Sequence, residues 1–188
     1  MDALFNYFNQ ILPMSETEVE EVTPFLKTRT VSKDECLLNE NQVCTFLIFI
    51  KVGSFRSYYV NSEGRSINMM LNSENEFISN YDSFITQSPS NIFIQAIEES
   101  EVILIYKKDL DKLLEHSLYW NKLGKLLVES IFIIAKNRLE SMIYKTPEER
   151  YLDLVAHFPN FLERFSLTDI ASFIGVTPQS LSRIRARI

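Results

Sequence analysis

The sequence has few of the residues that most often carry catalytic or cofactor chemistry. Its 188 residues include only 2 Cys, 2 His, 4 Gly and 6 Pro. These glycines are too few for a loop that cradles phosphate groups, and no close Cys or His pair stands at metal-ligand spacing. No set of nucleophile, base and acid is recognisable. We therefore expect no cofactor, no metal site and no enzymatic activity.

Long apolar runs are also missing. The longest, residues 46–50 and 131–135, end at charged residues well before the roughly 18 residues of a membrane-spanning helix. Asp2 stands where a secretory signal would carry positive charge. We expect a cytoplasmic protein without membrane contact, in which Cys36 and Cys44 are reduced, small hydrophobic residues of a β-rich core.

The net charge of −6 is unevenly distributed along the chain. Residues 141–188 hold six Lys or Arg and five Asp or Glu, a net +1, which leaves −7 on residues 1–140. The densest basic segment is residues 183–188, and no acid follows Asp169. This end of the chain suits contact with a polyanion, with an ordinary solvated C-terminal helix as the alternative.

Hydrophobic periodicity divides the first two thirds of the chain into a helical start and a β-rich stretch. Residues 1–26 show helical spacing, and Ser15 with Glu18 fits a capping box. From about Val31, branched and aromatic residues predict strands at 46–52, 55–60, 67–71, 92–97 and 102–106. Residues 61–64 predict a hairpin turn at Gly64. Several short strands indicate a barrel or sandwich.

A helical pattern begins at Lys107, breaks near residues 115–117 and continues to about Ile143. Its longer part is apolar on more than one side, with a stripe at Leu123, Leu127, Ile131, Ile134 and Ala135 and further apolar residues at Leu126, Phe132 and Ile133. We expect this helix to pack on its own β domain and on a second chain in a homodimer, with burial inside one monomer as the alternative.

Another helix start follows at Thr146-Pro147-Glu148, where proline and acids suit the first turn. The predicted domains are a β domain over residues 1–116, a dimerisation helix over 117–143 and a DNA-binding domain over 144–188.

The most specific pattern lies at residues 166–188. Ser166 and Asp169 fit a helix cap, followed by a buried face of Leu167, Ile170, Ala171 and Ile174. Gly175 ends this helix, and Thr177-Pro178 opens the next. The short turn, the small Ala171 and the apolar contacts of Val176, Leu181 and Ile184 predict a helix-turn-helix, a pattern that also occurs by chance in small helical bundles.

The second helix of this pair carries the candidate DNA-reading residues. Leu181, Ile184 and Ile188 are expected to point inward, which aligns Gln179, Arg183 and Arg187 on the outer face. Glutamine can pair with adenine and arginine with guanine, whereas Arg185 lies off this face and is expected to meet a phosphate or solvent. The predicted DNA-binding residues are Thr177, Gln179, Ser180, Ser182, Arg183, Arg185 and Arg187.

Together these features resemble the cyclic-AMP receptor protein/Fnr (Crp/Fnr) family of bacterial transcription regulators over nearly the entire chain. The most specific part of the resemblance is residues 170–188, with Gln179 and Arg183 at base-reading positions. It implies an α+β fold: a cyclic-nucleotide-binding-like β-roll (jelly roll), a long dimerisation helix and a helix-turn-helix. It also implies a homodimer that binds double-stranded DNA at a pseudo-palindromic site.

The sequence departs from this family at the cyclic-nucleotide site. Family members that bind cyclic nucleotides carry a cassette like Gly-Glu-Leu-Ala, followed by Arg-Ser or Arg-Thr; here residues 77–83 and Ser90-Asn91 stand in those places. Without the family's Arg and Glu, a buried cyclic phosphate would be unpaired, so we expect no binding of cyclic AMP or cyclic GMP.

A different, less anionic small-molecule effector is one alternative for this cavity, and a filled, ligand-free core is the other. The candidate lining residues are Phe77, Ile78, Ser79, Asn80, Tyr81, Phe84, Ser90 and Asn91.

A second departure concerns the wing, the β-hairpin that follows the recognition helix in the family. The sequence stops at Ile188, so no wing is evident, and either the protein works without one or the chain is cut short. The competing function is a dimeric sensor or scaffold that binds a small molecule or protein through its β domain, with vestigial terminal helices.

Overall fold

The computed structural model describes residues 1–188 as nine helices and eight strands. In chain order these are α1 (Asp2–Ile11), α2 (Glu16–Val22), a 3-10 turn (Thr23–Phe25), β1 (Leu26–Val31), β2 (Cys36–Leu38), β3 (Phe46–Val52), β4 (Phe55–Val60), β5 (Ser66–Asn72), β6 (Phe77–Ile78), α3 (Tyr81–Thr86), β7 (Phe93–Ala96), β8 (Ser100–Tyr106), α4 (Lys107–His116), α5 (Leu118–Tyr144), α6 (Pro147–His157), α7 (Phe161–Arg164), α8 (Leu167–Phe173) and α9 (Pro178–Arg185).

The strands form two antiparallel four-stranded sheets. The first has the order β1-β8-β3-β6 and the second β2-β7-β4-β5. A core of 13 buried residues, to which both sheets contribute, includes Ile48 and Val102 from the first sheet and Phe55 and Ile94 from the second. This confirms the predicted α+β fold with a jelly-roll domain.

The central strands of the first sheet are buried on both faces, which explains their unbroken apolar runs. In β8, Val102 and Leu104 belong to the core shared by the two sheets, whereas Ile103 and Ile105 belong to a cluster with α1, α4 and the first turns of α5. Alternate residues of a strand point to opposite faces, so double coverage requires apolar residues at every position.

The predicted strand bounds match β3 and β4 and lie within two residues of β5, β7 and β8. The short strands β2 and β6 and the edge strand β1 were not predicted. Four of the six residues of β1 are exposed, and its first residue, Leu26, was assigned to the helical start. Strand β1 forms because it pairs with β8, where Leu26 lies opposite Ile105. A partner so distant in sequence cannot be recognised from the local residue pattern of β1.

The predicted hairpin turn and helix caps are present. The Gly64 N–H donates to the Asn61 carbonyl at 2.9 Å, and Gly64 has a φ of +75°. Ser15 and Glu18 form the expected capping box of α2, and Thr146 forms one with Glu149 at the start of α6. Cys44 is buried as expected, whereas Cys36 is half-buried.

The C-terminal helices have their own small core, which extends onto the β domain. Tyr151, Phe161, Ile170 and Leu181 are among its nine buried residues, and Leu71 of β5 is another. Because β5 is the outer strand of the second sheet, α8 covers an open sheet edge. None of the helices combines the length and the apolar character that crossing a membrane requires.

Candidate nucleic-acid interface and its contacts with the β domain

Helix α8 forms where its cap was predicted. The Ser166 hydroxyl accepts a hydrogen bond from the Asp169 N–H at 3.1 Å. Ile170 and Ala171 are fully buried, and Ile174, just past the end of the helix, is buried as well. A small residue at Ala171 lets the next helix approach closely, as the apolar spacing predicted.

The turn between α8 and α9 depends on Gly175. This residue has a φ of +75°, which side-chain-bearing residues rarely adopt. The following Val176 N–H returns to the Ala171 carbonyl at 2.9 Å. A Cβ atom at Gly175 would lie 2.7 Å from the terminal carbon of Met142 on α5. Glycine is therefore favoured here by the backbone conformation, and an added Cβ would also displace the end of the flexible Met142 side chain.

Helix α9 presents polar and basic side chains to solvent. Thr177 caps it by accepting the Ser180 N–H at 3.2 Å, and Leu181 anchors it with no exposed surface. Among the predicted DNA-binding residues, Thr177, Gln179, Ser182, Arg183, Arg185 and Arg187 are exposed and Ser180 is half-buried. The Arg183 guanidinium lies over the first turn, 3.4 Å from the Ser180 hydroxyl.

Two expectations at the end of the chain are wrong. Helix α9 ends at Arg185, so Arg187 lies in the turn that follows and does not continue the helical row of Gln179 and Arg183. Ile188 is 63% exposed rather than turned inward. The spacing predicts one more helical turn, but residues 185–188 are all exposed, so no buried side chain anchors the helix beyond the half-buried Ile184.

An ion pair and hydrogen bonds join α8 to the second sheet. Arg56 of β4 donates to the Asp169 carboxylate at 2.8 Å, and Asn68 of β5 donates to it at 3.0 Å. The Asn68 backbone N–H also donates to the Ser172 hydroxyl at 2.8 Å. Burial opposes ionisation of Asp169, but hydrogen bonds from Ser166 and Asn68 and the charge of Arg56 outweigh it, so the pKa of Asp169 is lowered.

A second polar contact joins α7 to two loops of the β domain. The Arg164 guanidinium donates to both carboxylate oxygens of Glu74, at 2.5 and 2.7 Å, and its Nε donates to Glu98 at 2.9 Å. Glu74 also accepts the Gly53 N–H at 2.8 Å. These bonds, chiefly those from Arg164, lower the pKa of Glu74 to about 2 against the opposing effect of burial.

Two arginines hold the helix-turn-helix turn from the other side. Arg138 of α5 donates to the Phe173 carbonyl, and its guanidinium carbon lies 3.9 Å from the centre of the Phe173 ring. Arg150 of α6 donates to the Ile174 carbonyl at 2.8 Å. Burial, reinforced by the like charge of Arg150, lowers the pKa of Arg138 to about 10. Both cations satisfy carbonyls at the C-terminal end of α8.

These contacts were not predicted from the sequence. Arg56 lies 113 residues from Asp169, and Arg164 lies 90 residues from Glu74. The only sequence signal was Arg56, the one charged residue of strand β4. The local sequence pattern did not indicate that Asp169 is its partner.

The long helix α5 spans the expected range and has a large apolar surface. Only Trp120 and Leu123 are fully buried, in contact with the β domain. Further along, the exposed apolar side chains include Val128, Ile131, Phe132, Ile133, Ile134, Leu139, Met142 and Ile143. The helix is therefore covered at its start and uncovered over most of its length in a single chain.

The residues predicted to line an effector pocket separate into two groups. Five of them line a cavity of about 870 Å³ between the β domain, α4, α5 and the C-terminal helices: Phe77, Ile78, Ser79, Tyr81 and Phe84. The other three, Asn80, Ser90 and Asn91, do not line it. Asn80 and Ser90 are buried and bonded to each other at 2.8 Å, and Asn91 is exposed. The structure therefore brings five of the eight predicted residues to one cavity and places the other three outside it.

The chain thus combines a β-roll, a long helix and a terminal helix-turn-helix. Residues 28–117 match the family model of the cyclic nucleotide-binding domain. No curated protein matches the chain in sequence.

Solved structures extend the likeness to the C-terminal helices. FixK2 from Bradyrhizobium japonicum superposes with a TM-score of 0.73 at 19% identity, covering 86% of this chain and 83% of its own. A protein from Eubacterium rectale ATCC 33656, described as a putative regulator of the Crp/Fnr family, gives 0.72 at 19% identity over 97% and 87%. The c-di-GMP-responsive global regulator CLP of Xanthomonas campestris gives 0.71 at 12% identity over 92% and 91%.

The fold that the resemblance implies is thereby confirmed. The chain contains a cyclic nucleotide-binding domain at residues 28–117 and has the Crp/Fnr fold.

Proposed function

We propose that the protein is a homodimeric, sequence-specific DNA-binding transcription regulator of the Crp/Fnr type. The observation that carries the proposal is the exposed face of α9, where Gln179, Arg183 and Arg185 face solvent. The one acid nearby in sequence, Asp169, is buried and paired with Arg56. A basic, acid-free helix face of this kind suits the major groove.

The rigid mounting of α9 supports the same function. The carbonyl contacts of Arg138 and Arg150 hold the end of α8 against α5 and α6, and the short Gly175 turn joins α9 to α8. A helix that reads bases must be held in one orientation, because each bidentate contact discriminates only when its geometry is met.

A second copy of the chain fits the uncovered side of α5. Gly124, Val128, Ile131, Ala135, Leu139 and Met142 recur at steps of three and four residues, and we name this row the seam. All but Gly124 are exposed in one chain. An exposed apolar row of this length marks an interaction surface. Pairing two seams would place two copies of α9 on one duplex.

The β domain is proposed not to respond to cyclic nucleotides. Asn80 and Ser90 occupy the places that match the family's clamp, and they bond to each other. Neither residue carries a positive charge for a cyclic phosphate. Asp82, exposed next to them, adds a negative charge.

Substitution of Arg183 tests the DNA-binding assignment. A duplex is first selected from a random pool with the native chain. The affinities of the native chain and of Arg183→Ala for this duplex are then compared by gel shift at a fixed salt concentration. Loss of one bidentate contact predicts weaker binding by about 1–3 kcal/mol and relaxed preference at one base pair of each half-site.

Arg65→Ala is the matched control, because Arg65 is an exposed arginine at the β4–β5 hairpin. It removes the same charge far along the chain from α9 and is expected to leave affinity and preference unchanged. Equal losses in both variants, or no selected sequence at low salt, would favour the competing function of a sensor or scaffold with vestigial terminal helices.

A further inference from the structure

The cavity of about 870 Å³ and the seam of the proposed dimer share one wall. Gly124, Val128, Ile131 and Ala135 belong to the seam and also line the cavity, together with residues of the β domain, α4 and the C-terminal helices. A second α5 that pairs along the seam therefore lies along this cavity. Of the 38 lining residues, 25 are hydrophobic, so the surface that the second chain covers is mostly apolar.

The two long helices of the proposed dimer run parallel. Both copies of α9 must lie at the same end of the pair to reach one duplex, and α9 follows the C-terminal end of α5 in the chain. The seam then has the geometry of a parallel coiled coil, with Val128 and Ala135 at heptad position a and Ile131 at position d. In this geometry, position e of one helix lies beside position g of the other.

Position g of α5 faces the β domain of its own chain. Leu127 packs against the buried cluster that α5 shares with α1 and α4, and Ile134, one heptad later, lines the cavity. Position e carries Phe132, which is 69% exposed and does not line the cavity of its own chain. Pairing of e with g places Phe132 of the partner subunit beside Ile134, on the side of the helix where this chain has its cavity.

The β domain offers an uncovered apolar residue in the same cavity. Ile85 of α3 lines the cavity and is 52% exposed, whereas its neighbour Phe84 is buried. Tyr81, one helical turn earlier, also lines the cavity and is half-buried. Contact between a phenylalanine ring and this part of α3 would remove apolar surface of both from water, which favours association of the two chains.

We propose that Phe132 of the partner subunit enters the cavity of this chain and packs on α3 at Ile85. Each chain thereby contributes a side chain to the β domain of the other, and the occupant of the cavity is a second copy of the chain. The proposal rests on the proposed homodimer and adds to it the residue that enters the cavity.

The packing of Phe132 has a consequence for regulation, which also rests on the proposed DNA binding. A cavity that the partner occupies needs no small molecule to complete it. Dimerisation itself then holds the β domain against α5, whose Arg138 supports the helix-turn-helix turn. We therefore expect the purified dimer to bind its selected duplex in a gel shift without an added effector. A dimer that binds this duplex only after a small molecule is added would contradict this consequence.

Sedimentation equilibrium measures the contribution of Phe132 to the dimer. Each dimer holds two copies of the contact, so Phe132→Ala should raise the dissociation constant about tenfold per copy, or about 100-fold in all. Phe132→Leu keeps much of the apolar bulk and should raise it less. Ile133→Ala is the matched control, because Ile133 is 55% exposed and lies outside both the seam and the cavity wall. Circular dichroism establishes that each variant is folded.

Mixed dimers show whether the contact joins two chains. Phe132→Ala and Ile85→Ala chains are combined in equal amounts, and native mass spectrometry counts the three kinds of dimer. A mixed dimer retains one native pair of Phe132 and Ile85, whereas each pure dimer retains none. The mixed dimer should therefore exceed its statistical share of about one half. If Phe132 packed on Ile85 of its own chain, no dimer would retain a native pair.

A dissociation constant that Phe132→Ala leaves unchanged, or a mixed dimer at its statistical share, would overturn the proposal while the homodimer itself stands. A native chain that sediments as a monomer would contradict the proposed homodimer, and the packing of Phe132 with it. The two failures are therefore distinguishable in the same measurement.

Discussion

At the scale of single residues, the structure separates what local sequence determines from what distant partners determine. The caps at Ser166 and Thr177 and the turn at Gly175 were predictable because the groups they satisfy lie within five residues. The Arg56 and Arg164 contacts were not, since their acids come from distant parts of the chain. Arg187 and Ile188 were assigned wrongly because spacing does not show where a helix ends.

The ion pair of Glu74 with Arg164 predicts an acid-sensitive contact between the domains. The pKa of Glu74 falls from 4.5 to about 2 in the folded chain. Because the pKa is lower in the folded chain, ionised Glu74 contributes its full stabilisation at pH values above the unfolded pKa of 4.5. This contribution to the free energy of unfolding is lost as the pH falls from 4.5 towards 2. Since the Glu74 side chain is 32% exposed, solvent screening limits the effect to about 1 kcal/mol.

Thermal unfolding midpoints between about pH 6 and about pH 3 measure this effect, with Glu74→Gln for comparison. The native chain should lose more stability than the variant over this range. An identical pH dependence of the two proteins would show that Glu74 contributes nothing to it.

The hydrogen bond between Asn80 and Ser90 predicts that cyclic nucleotides do not bind. Neither Asn80 nor Ser90 carries a positive charge, so a cyclic phosphate bound there would lose its hydration without gaining an ionic partner from them. Isothermal titration of cyclic AMP and of cyclic GMP should give no binding heat. Micromolar affinity for either nucleotide would contradict this.

At the scale of helices and strands, periodicity located five of the eight strands and the longer helices, but missed the short helices α3 and α7 and the strands that pairing alone decides. Strands β3 and β4 were predicted with their observed bounds because long branched and aromatic runs are distinctive. The edge strand β1 and the two short strands depend on ladder hydrogen bonds to distant partners. The length of α5 was predictable, but its contact with the helix-turn-helix turn was not.

The turn after α8 can be tested with two matched glycine substitutions. Gly175 and Gly64 share a φ of +75°, but only Gly175 has a neighbour, Met142, within 3 Å of a Cβ atom. Both Gly→Ala variants incur the left-handed backbone penalty of about 1–2 kcal/mol. Because the Met142 methyl group lies at the end of a flexible side chain and can move aside, the two variants should lose similar stability in denaturant unfolding, but only Gly175→Ala should also bind DNA more weakly. Unchanged DNA affinity of Gly175→Ala would show that this turn does not fix the orientation of α9.

The seam of α5 predicts which side of the helix forms the dimer. Leu139 lies in the seam and Ile133 lies outside it, and the two are similarly exposed, at 61% and 55%. Leu139→Glu buries a charge in the dimer and should raise the dissociation constant about 100-fold or more, whereas Ile133→Glu should not. Analytical ultracentrifugation distinguishes them, and a dimer lost only in Ile133→Glu would place the interface on the opposite side.

At the scale of the whole molecule, the contacts make one continuous support for α9. The β domain holds α7 and α8 through Arg164, Asp169 and Asn68, while α5 holds the turn through Arg138. The order of the domains was predictable from composition and motif. The packing of the domains was not predictable, because it depends on the edge of β5 and on ion pairs between residues that lie far apart in the sequence.

The central property of the proposed regulator is that α9 reads a duplex as one of two symmetric copies. Sequencing of duplexes bound from a random pool tests this directly. A symmetric dimer predicts an enriched, two-fold symmetric site whose half-sites lie about 10–10.5 base pairs apart, or a multiple of that spacing. Enrichment of a single asymmetric element, or of no sequence even at low salt, would contradict it.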